Sequence, residues 1–230
     1  KRYRQFYIDR NRYKNNLDRY KNYTLVDKFL NLGAGNIFYH PRWDCFDLYT
    51  NGLNLVLRNY TFWDFNQNLS FPDKYKLIYC SHVLEHIPRK SIKSFLTNVY
   101  ESMTNDSIFR IVIPDADLAY KAYKENRYNF FEAYDSKVSP NIDKEYLMEF
   151  QLLLFIATEK ANKLEPSYGL DIREKFKDLS KADFLDYLIS NIERNNSLTG
   201  HFHVNWFNFL KIKMLLNDVG FSIVNRSNFG

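Results

Sequence analysis

The stretch that decides the fold opens as Phe29-Leu30-Asn31-Leu32-Gly33-Ala34-Gly35-Asn36 and closes as Leu77-Ile78-Tyr79-Cys80-Ser81-His82-Val83-Leu84-Glu85-His86-Ile87-Pro88. The opening piece is a short apolar run that ends in Gly-x-Gly, which predicts a buried strand followed by a tight turn. Because glycine has no Cβ, a nucleotide-like ligand can approach the backbone there. The closing piece predicts a second strand that ends in polar side chains. In open α/β sheets such strand ends meet at the ligand-binding edge.

The glycines Gly33 and Gly35 alone are a weak signal, since the full dinucleotide-binding fingerprint is Gly-x-Gly-x-x-Gly followed at once by a helix. Together with later segments the pattern is more specific. The chain resembles the class I S-adenosylmethionine-dependent methyltransferases, above all the small bacterial type 11 group of predicted methyltransferases. The segments that carry the resemblance are Leu30–Asn36, Trp43–Asp47, Ser70–Asp73, His82–Pro88, Phe109–Asp115 and Asp218–Phe221.

This resemblance implies an α/β fold with a doubly wound, Rossmann-like, mostly parallel sheet, whose core comprises residues 24–117 and 201–230. It also implies S-adenosylmethionine as cofactor, with S-adenosylhomocysteine as the product. In dinucleotide folds an acid such as Asp47 accepts hydrogen bonds from ribose hydroxyls. The resemblance places Asp64 at the adenine amine and Phe65 on the adenine ring. The full set of implied cofactor-binding residues is Gly33, Ala34, Gly35, Asp47, Asp64, Phe65, Ser81 and His82.

The run from His82 to His86 reads His-x-x-Glu-His and admits three interpretations. One is the inverted zinc-protease signature, but that motif needs a helix running through it, and the predicted strand to Ser81 and the following Pro88 disfavour one. Another is a divalent-metal site that resembles the Glu-x-x-Glu-His motif of small-RNA 2′-O-methyltransferases, although His82 replaces the first Glu. The third, which we favour, is a wall of the cofactor pocket. The sequence leaves a metal unassigned.

After Lys90 the pattern predicts an amphipathic helix, because apolar residues recur at spacings of three and four. They are Ile92, Phe95, Leu96, Val99, Tyr100 and Met103. The polar run Thr104–Ser107 predicts a turn, and Ile108–Ile113 predicts a buried strand. Asp115 and Asp117 follow that strand, at the edge where substrates meet cofactors. At least one of them is better explained as the cap of a helix that begins near Leu118.

Residues 118–200 carry three further helical patterns, around Leu118–Tyr134, Asp143–Ala161 and Ser180–Arg194, separated by Pro140 and by Pro166–Gly169. The last begins with Ser180 followed three residues later by Asp183, a variant of the capping box. Because this segment lies between the fifth strand and the C-terminal elements, we predict that it forms a helical lid insertion that selects the acceptor.

The C-terminal part of the chain completes the pattern. The segment His201–Trp206 resembles one that the same family places before its last helix. A helical pattern follows from Phe209 to Leu216 and is stopped by Gly220 in a C-cap position. The apolar residues of Phe221–Val224 then predict a strand.

The activity that the resemblance implies is in-line transfer of a methyl group from S-adenosylmethionine to an acceptor, and we prefer a small molecule or a glycan because the lid would obstruct a duplex. An oxygen or nitrogen acceptor has to lose a proton, and the candidate catalytic residues are His86, Asp115 and His203. Two alternatives stay open: a binding module that keeps the fold without turnover, and an RNA 2′-O-methyltransferase-like enzyme that uses a divalent metal.

Composition sets the remaining bounds. The 230 residues suit one domain with an elaboration, and 45% hydrophobic residues argue against disorder. The net charge of +5 favours anionic partners, so nucleic acid is possible but not favoured. The basic and aromatic residues 1–23 predict an amphipathic helix packed on the domain rather than an RNA-binding arm. Two cysteines, Cys45 and Cys80, and no run of transmembrane length predict a cytoplasmic protein without a membrane span.

Overall fold

The computed structural model describes residues 28–34, 43–47, 60–62, 74–134, 143–161, 163–192 and 202–227. The chain divides into two compact units. The first comprises the chain up to Val83, Ser91–Val112 and Val219–Phe221, and the second comprises Leu84–Lys90, Ile113–Asp218 and Ser222–Gly230. The N-terminal helix predicted over 1–23, and the predicted cofactor residues Gly35, Asp64 and Phe65, lie outside the described residues.

The first unit is built on a five-stranded sheet in which each pair of neighbouring strands is parallel. Its strands are β1 (Phe29–Leu32), β2 (Trp43–Asp47), β3 (Tyr60–Phe62), β4 (Tyr75–Ser81) and β5 (Met103–Val112). They lie in the order β3-β2-β1-β4-β5, so the chain adds strands first on one side of β1 and then on the other. This doubly wound arrangement is the Rossmann-like α/β fold, and it confirms the predicted fold class.

Burial follows the position of each strand in the sheet. The central strand β1 is buried almost throughout, with Leu30 and Leu32 fully enclosed and Asn31 only 6% exposed. Such continuous burial is typical of a parallel strand that is covered on both faces. The outer strand β5 differs, because Ile108 is 65% exposed and Arg110 is also exposed. The prediction of a buried strand over 108–113 was therefore wrong in burial, since β5 lies at the end of the described sheet.

The turn predicted at Thr104–Ser107 is an irregularity inside β5. The register passes from Tyr75 opposite Met103 to Leu77 opposite Ile108, so four residues of β5 face a single residue of β4. The Ser107 hydroxyl donates a hydrogen bond to the carbonyl of Thr104, which closes the extra residues into a local bend. The strand thus begins five residues earlier than the sequence predicted. The polar run interrupts the regular pairing between β5 and β4 but does not terminate the strand.

The first described α-helix, α1, spans Arg89–Glu101 and confirms the predicted amphipathic helix, except that Met103 begins β5 instead of continuing the helix. Its buried face carries Ile92, Phe95, Leu96 and Val99. Tyr100 lies off this face and is 43% exposed. Apolar side chains at spacings of three and four fall on one side of a helix, and their removal from water is the main reason that a helix of this length is stable.

The second unit is helical. Its α-helices are α2 (Ala116–Lys124), α3 (Tyr128–Tyr134), α4 (Leu147–Ile156), α5 (Thr158–Ala161), α6 (Pro166–Asp178), α7 (Lys181–Ile189) and α8 (Phe209–Asp218), with short 3₁₀ helices at Leu84–His86 and Lys144–Tyr146. One apolar cluster fills the unit, and its largest fully buried side chains include Phe131 and Phe184. Helix α4 is enclosed on nearly all sides, which explains why its apolar residues are not confined to one face.

Two of the predicted helices differ in detail. The pattern over 118–134 is two helices, because Asn126 takes a left-handed conformation at φ 52° and ends the first. The segment Pro166–Gly169, predicted as punctuation, is the first turn of α6. Proline is well suited to that position, where its missing N–H has no helical partner in any case. The predicted capping box at Ser180 and Asp183 is confirmed at the start of α7.

A buried carboxylate connects three helices of this unit. Glu149 on α4 is 2% exposed and accepts hydrogen bonds from the Tyr123 hydroxyl at 2.6 Å and from Arg173 Nε at 3.0 Å. Burial, together with the hydrogen bond to Glu149, raises the pKa of Tyr123, so the phenol remains a donor. A buried charge is tolerated only when it is paired in this way, and the three side chains thereby fix α2, α4 and α6 to one another.

The C-terminal strand predicted at Phe221–Val224 was wrong. Residues 221–227 are irregular, and Ile223 is 80% exposed. Phe221 instead packs its ring against those of Tyr100, at 5.1 Å between centroids, and Phe109, at 5.8 Å. Side-chain packing of this kind anchors the segment without a backbone ladder. The preceding helix α8 is confirmed, with Gly220 beyond its end at φ 112°.

Candidate functional site

The predicted cofactor residues of the first unit meet at the carboxyl edge of its sheet. In the register of β1, Leu32 pairs with Phe46 of β2 and with Cys80 of β4. The next residue on each strand is therefore Gly33, Asp47 and Ser81, and these three positions form one row across three adjacent strands. The sequence predicted each of them separately, and the parallel topology brings them together.

Gly33 is the tight turn that the sequence predicted. Its φ of 72° lies in the left-handed region, which L-residues with a side chain rarely adopt. A Cβ at this position would lie 2.3 Å from Cγ2 of Val83, so the close packing of the two loops also requires glycine. The amide of Gly33 donates a hydrogen bond to the carbonyl of Phe46 at 2.8 Å, which holds the turn on the end of β2. Ala34 follows, partly exposed.

His82 directly follows β4 and has an unusual backbone. Its φ of 54° is left-handed, while its amide donates to the carbonyl of Val112 at 2.9 Å. Histidine is one of the few residues that adopts this conformation with some frequency. The chain therefore bends sharply away from the sheet just after Ser81, and the His82 side chain is exposed. Because they stand at the carboxyl end of β4, both residues lie at the same edge as Gly33 and Asp47.

The environment of β2 is negatively charged near this edge. Burial, together with the nearby carboxylates of Asp44 and Asp47, raises the pKa of the Cys45 thiol to about 12. The thiol is therefore neutral at physiological pH and is not a nucleophile. Cys80 is buried as well, and neither cysteine forms a disulfide.

The second unit holds a separate group of candidate residues. Glu85, His86 and His203 each offer one potential ligand atom, and these atoms lie within 4.8 Å of one another. Glu85 is 2% exposed and His203 is 8% exposed, while His86 is half-buried. The two imidazole rings meet edge to face, with 4.9 Å between their centroids. Of the three predicted catalytic residues, the structure thus brings together His86 and His203.

Hydrogen bonds explain how distant parts of the sequence form this group. Residues 84–86 make one turn of 3₁₀ helix, whereas the zinc-protease motif needs a continuous α-helix, so the structure agrees with the sequence in disfavouring that interpretation. The carbonyl of Glu85 accepts from the amides of Val204 at 2.8 Å and Asn205 at 3.1 Å. The Asn205 side chain donates to the carbonyl of Ile87 at 3.0 Å. These bonds fix the segment that contains His203 against the turn that contains His86.

Asp115, the third predicted catalytic residue, has structural partners. Its carboxylate caps α2 by accepting from the amide of Asp117 at 2.9 Å, which confirms that one of the two aspartates is a cap. The same carboxylate pairs with Arg226 at 2.7 Å. Asp117 forms an ion pair with Lys181 at 2.8 Å. Burial raises the pKa of the Asp117 carboxyl, but the hydrogen bonds from Lys181 and Asn208 outweigh burial, so that the net effect is a lowered pKa. Asp117 is therefore held as a carboxylate.

One member of the second group, Glu85, was considered from the sequence only as a possible metal ligand together with His82 and His86. Glu85 belongs to the His-x-x-Glu-His run, but its proximity to His203 depends on hydrogen bonds between segments far apart in the chain. The spacing of residues within a motif predicts contacts only between residues that are close in sequence, so it could not predict this one. The adjacent acid and histidine at 85–86 were the available signal.

No protein-family model matches this sequence, and no curated protein matches it. Among solved structures the chain is similar to PKMT2 from Rickettsia typhi in complex with AdoHcy, at 14% identity and a TM-score of 0.38, over 84% of this chain and 38% of that one. A second structure of PKMT2 from Rickettsia typhi is similar at 13% identity with the same TM-score of 0.38 and the same coverage. The chain thus spans 38% of the length of these neighbours. Similarity of this degree does not bear on function.

Proposed function

We propose that the chain is an S-adenosylmethionine-dependent methyltransferase that acts on a small-molecule or glycan acceptor. The observation that carries the proposal is the row of Gly33, Asp47 and Ser81 across β1, β2 and β4 at the carboxyl edge of the sheet. Open α/β sheets bind nucleotide-like ligands at that edge, beside the strand at which the order reverses. Here that strand is β1, and it ends in the left-handed glycine turn.

Each residue of the row has a role that suits an adenosyl ligand. The Asp47 carboxylate can accept hydrogen bonds from both hydroxyls of a ribose, which is why acids occupy this position in nucleotide-binding sheets. The tight turn at Gly33 and Ala34 presents backbone rather than a bulky side chain. Ser81 and the exposed side chain of His82 supply polar groups at the end of β4, on the other side of β1. The negative charge around Asp47 also suits a ligand that carries a sulfonium cation.

The cofactor, when bound, supplies the reactive methyl group on a sulfonium sulfur, and the chain aligns the acceptor and excludes water. An oxygen or nitrogen acceptor has to lose its proton, and His86, Asp115 and His203 are our candidates to receive it. Asp115 is the weakest of the three, because its carboxylate already caps α2 and pairs with Arg226. Either histidine is better suited, since imidazole takes up protons near neutral pH.

The test is methyl transfer itself. The chain is incubated with methyl-labelled S-adenosylmethionine and a panel of small-molecule and glycan acceptors, and labelled products are identified by mass spectrometry. We expect a labelled acceptor from this panel, and less product at subsaturating cofactor when Asp47 is replaced by asparagine. Cofactor binding without transfer to any acceptor would support a binding module of the same fold. Transfer only to RNA would contradict the proposed acceptor class.

A further inference from the structure

We propose that Glu85, His86 and His203 bind a divalent transition-metal ion, with Zn²⁺ as the first ion to test. Their potential ligand atoms lie within 4.8 Å of one another in the second unit. Ligands of a tetrahedral zinc ion are about 3.4 Å apart, given Zn–N and Zn–O distances near 2.0–2.1 Å. The three ligand atoms therefore need to approach one another only by a small amount to coordinate one ion.

The hydrogen bonds of the two histidines orient them as ligands. His86 Nδ1 lies 3.0 Å from the carbonyl of Phe202, and His203 Nδ1 lies 2.7 Å from the carbonyl of Phe155. A carbonyl only accepts, so in both rings Nδ1 carries the proton. In the neutral tautomers the lone pair is then on Nε2 of each ring. An Nδ1–H donated to a backbone carbonyl is the arrangement that fixes metal-binding histidines in proteins.

The backbone that carries the three residues is held in place without a metal. The Glu85 carbonyl accepts two amide hydrogen bonds from residues 204 and 205, and the amide of His203 donates to Thr158 Oγ1 at 3.4 Å. Thr158 and Phe155 are at the junction of α4 and α5, beside the apolar cluster of the unit. Because these contacts already restrict the turn and the segment, binding an ion has little chain entropy to overcome.

The type of ligand selects the class of ion. Two imidazoles and one carboxylate suit zinc, iron or manganese, whereas magnesium and calcium prefer sites made of oxygen. A set of three protein ligands also leaves at least one coordination position for water or for a substrate oxygen, as in catalytic rather than structural zinc sites. With an ion bound, His86 and His203 act as ligands rather than as proton acceptors, and Asp115 is then the remaining one of the three candidates for the proton of an acceptor.

The experiment measures metal binding by the intact chain, freed of metal by a chelator and then dialysed. Isothermal titration with ZnCl₂, and separately with MnCl₂, should show one saturable site per chain for at least one ion. Co²⁺ should give the strong visible absorption of a four-coordinate site. Each of the variants Glu85→Gln, His86→Asn and His203→Asn should weaken binding by more than about 100-fold, beyond the 10–100-fold that loss of an outer partner costs.

The matched control is His82→Asn, which removes a histidine of the same sequence run that is not one of the clustered residues. Asparagine tolerates the left-handed backbone at this position, so the variant should fold and bind metal as the wild type does. Circular dichroism without metal shows which variants retain the fold. The near-isosteric Glu85→Gln provides the decisive comparison if a histidine variant unfolds.

Two results would overturn the inference. One is a folded wild-type chain that takes up neither Zn²⁺ nor Mn²⁺ at millimolar concentration. The other is a set of folded ligand variants that bind as tightly as the wild type and His82→Asn, which would assign the two histidines a purely structural role. Cofactor binding is measured in a separate experiment. A chain that binds cofactor but no metal would contradict only the metal site, and a chain that binds metal but no cofactor would contradict only the proposed methyltransferase function.

Discussion

Among single residues, Lys211 has a charge state that the fold changes within an accessible pH range. Burial, assisted by the nearby Arg89 and opposed by Asp186, lowers the pKa of its ammonium from 10.5 to about 8. The ammonium lies 3.7 Å from the centre of the Trp206 ring and donates to the Trp206 carbonyl at 2.8 Å. Both contacts favour the charged form, but the cost of burying the charge is larger.

We therefore expect a rise in stability between about pH 8 and pH 10 that depends on Lys211. In this range the unfolded chain binds more protons at this lysine than the folded chain does, so the free energy of unfolding increases with pH. Replacing Lys211 with methionine removes the titrating group and keeps an unbranched stem. Urea unfolding at several pH values should show a smaller slope for Lys211→Met than for the wild type; equal slopes would contradict the lowered pKa.

The elements of the second unit depend on local capping as well as on packing. At the start of α7 the amide of Asp183 donates to Ser180 Oγ at 3.3 Å, and the hydroxyl donates to Asp183 Oδ2 at 2.6 Å. Ser180→Ala should cost about 1 kcal/mol, a typical value for the loss of an N-cap side chain. For a chain of this size that lowers the melting temperature by about 2–4 °C.

The matched control for the cap is Ser180→Thr, which retains a hydroxyl at the same position. Thermal unfolding followed by circular dichroism should place its melting temperature near that of the wild type and above that of Ser180→Ala. Ser180 is exposed, so neither substitution disturbs the core. Equal melting temperatures for all three chains would show that the capping hydrogen bonds contribute nothing measurable.

Elements could be predicted from the sequence where local chemistry decides them. Buried β1 ending at Gly33, the apolar face of α1 and the cap at Ser180 are all encoded by neighbours in the chain. The misassigned strand at 221–224 shows the limit, because an apolar run forms a strand only if a sheet edge accepts it. The position of His203 beside Glu85 and His86 could not be predicted either, because it depends on hydrogen bonds between remote segments of the chain.

In the molecule as a whole, the candidate residues belong to two different units. Gly33, Asp47 and Ser81 belong to the sheet unit, whereas His86 and His203 belong to the helical unit. None of the described helices has both the length and the apolar character needed to cross a bilayer. We propose that the cofactor binds to the first unit and that residues 118–200 of the second act as a lid that selects the acceptor.

Hydrogen exchange tests this division of roles. Cofactor alone should protect peptides that cover 29–47, because a bound ligand suppresses local opening at its site. Protection of peptides within 118–200 should require a methyl acceptor as well. The lid proposal is contradicted if amides in 118–200 exchange at the same rate with and without each ligand while 29–47 responds; the segment would then serve only packing or a partner.

The central claim is that the carboxyl edge of the sheet binds an adenosyl cofactor through Asp47, and calorimetry tests it most directly. S-adenosylhomocysteine titrated into the chain should bind saturably and raise the melting temperature by mass action. Asp47→Asn should weaken binding by about tenfold or more, as expected when hydrogen bonds to a charged acceptor are lost. Asp44→Asn is the control on the same strand, because Asp44 accepts instead from the Tyr75 hydroxyl at 2.9 Å. No heat and no stabilisation at millimolar cofactor would contradict the account.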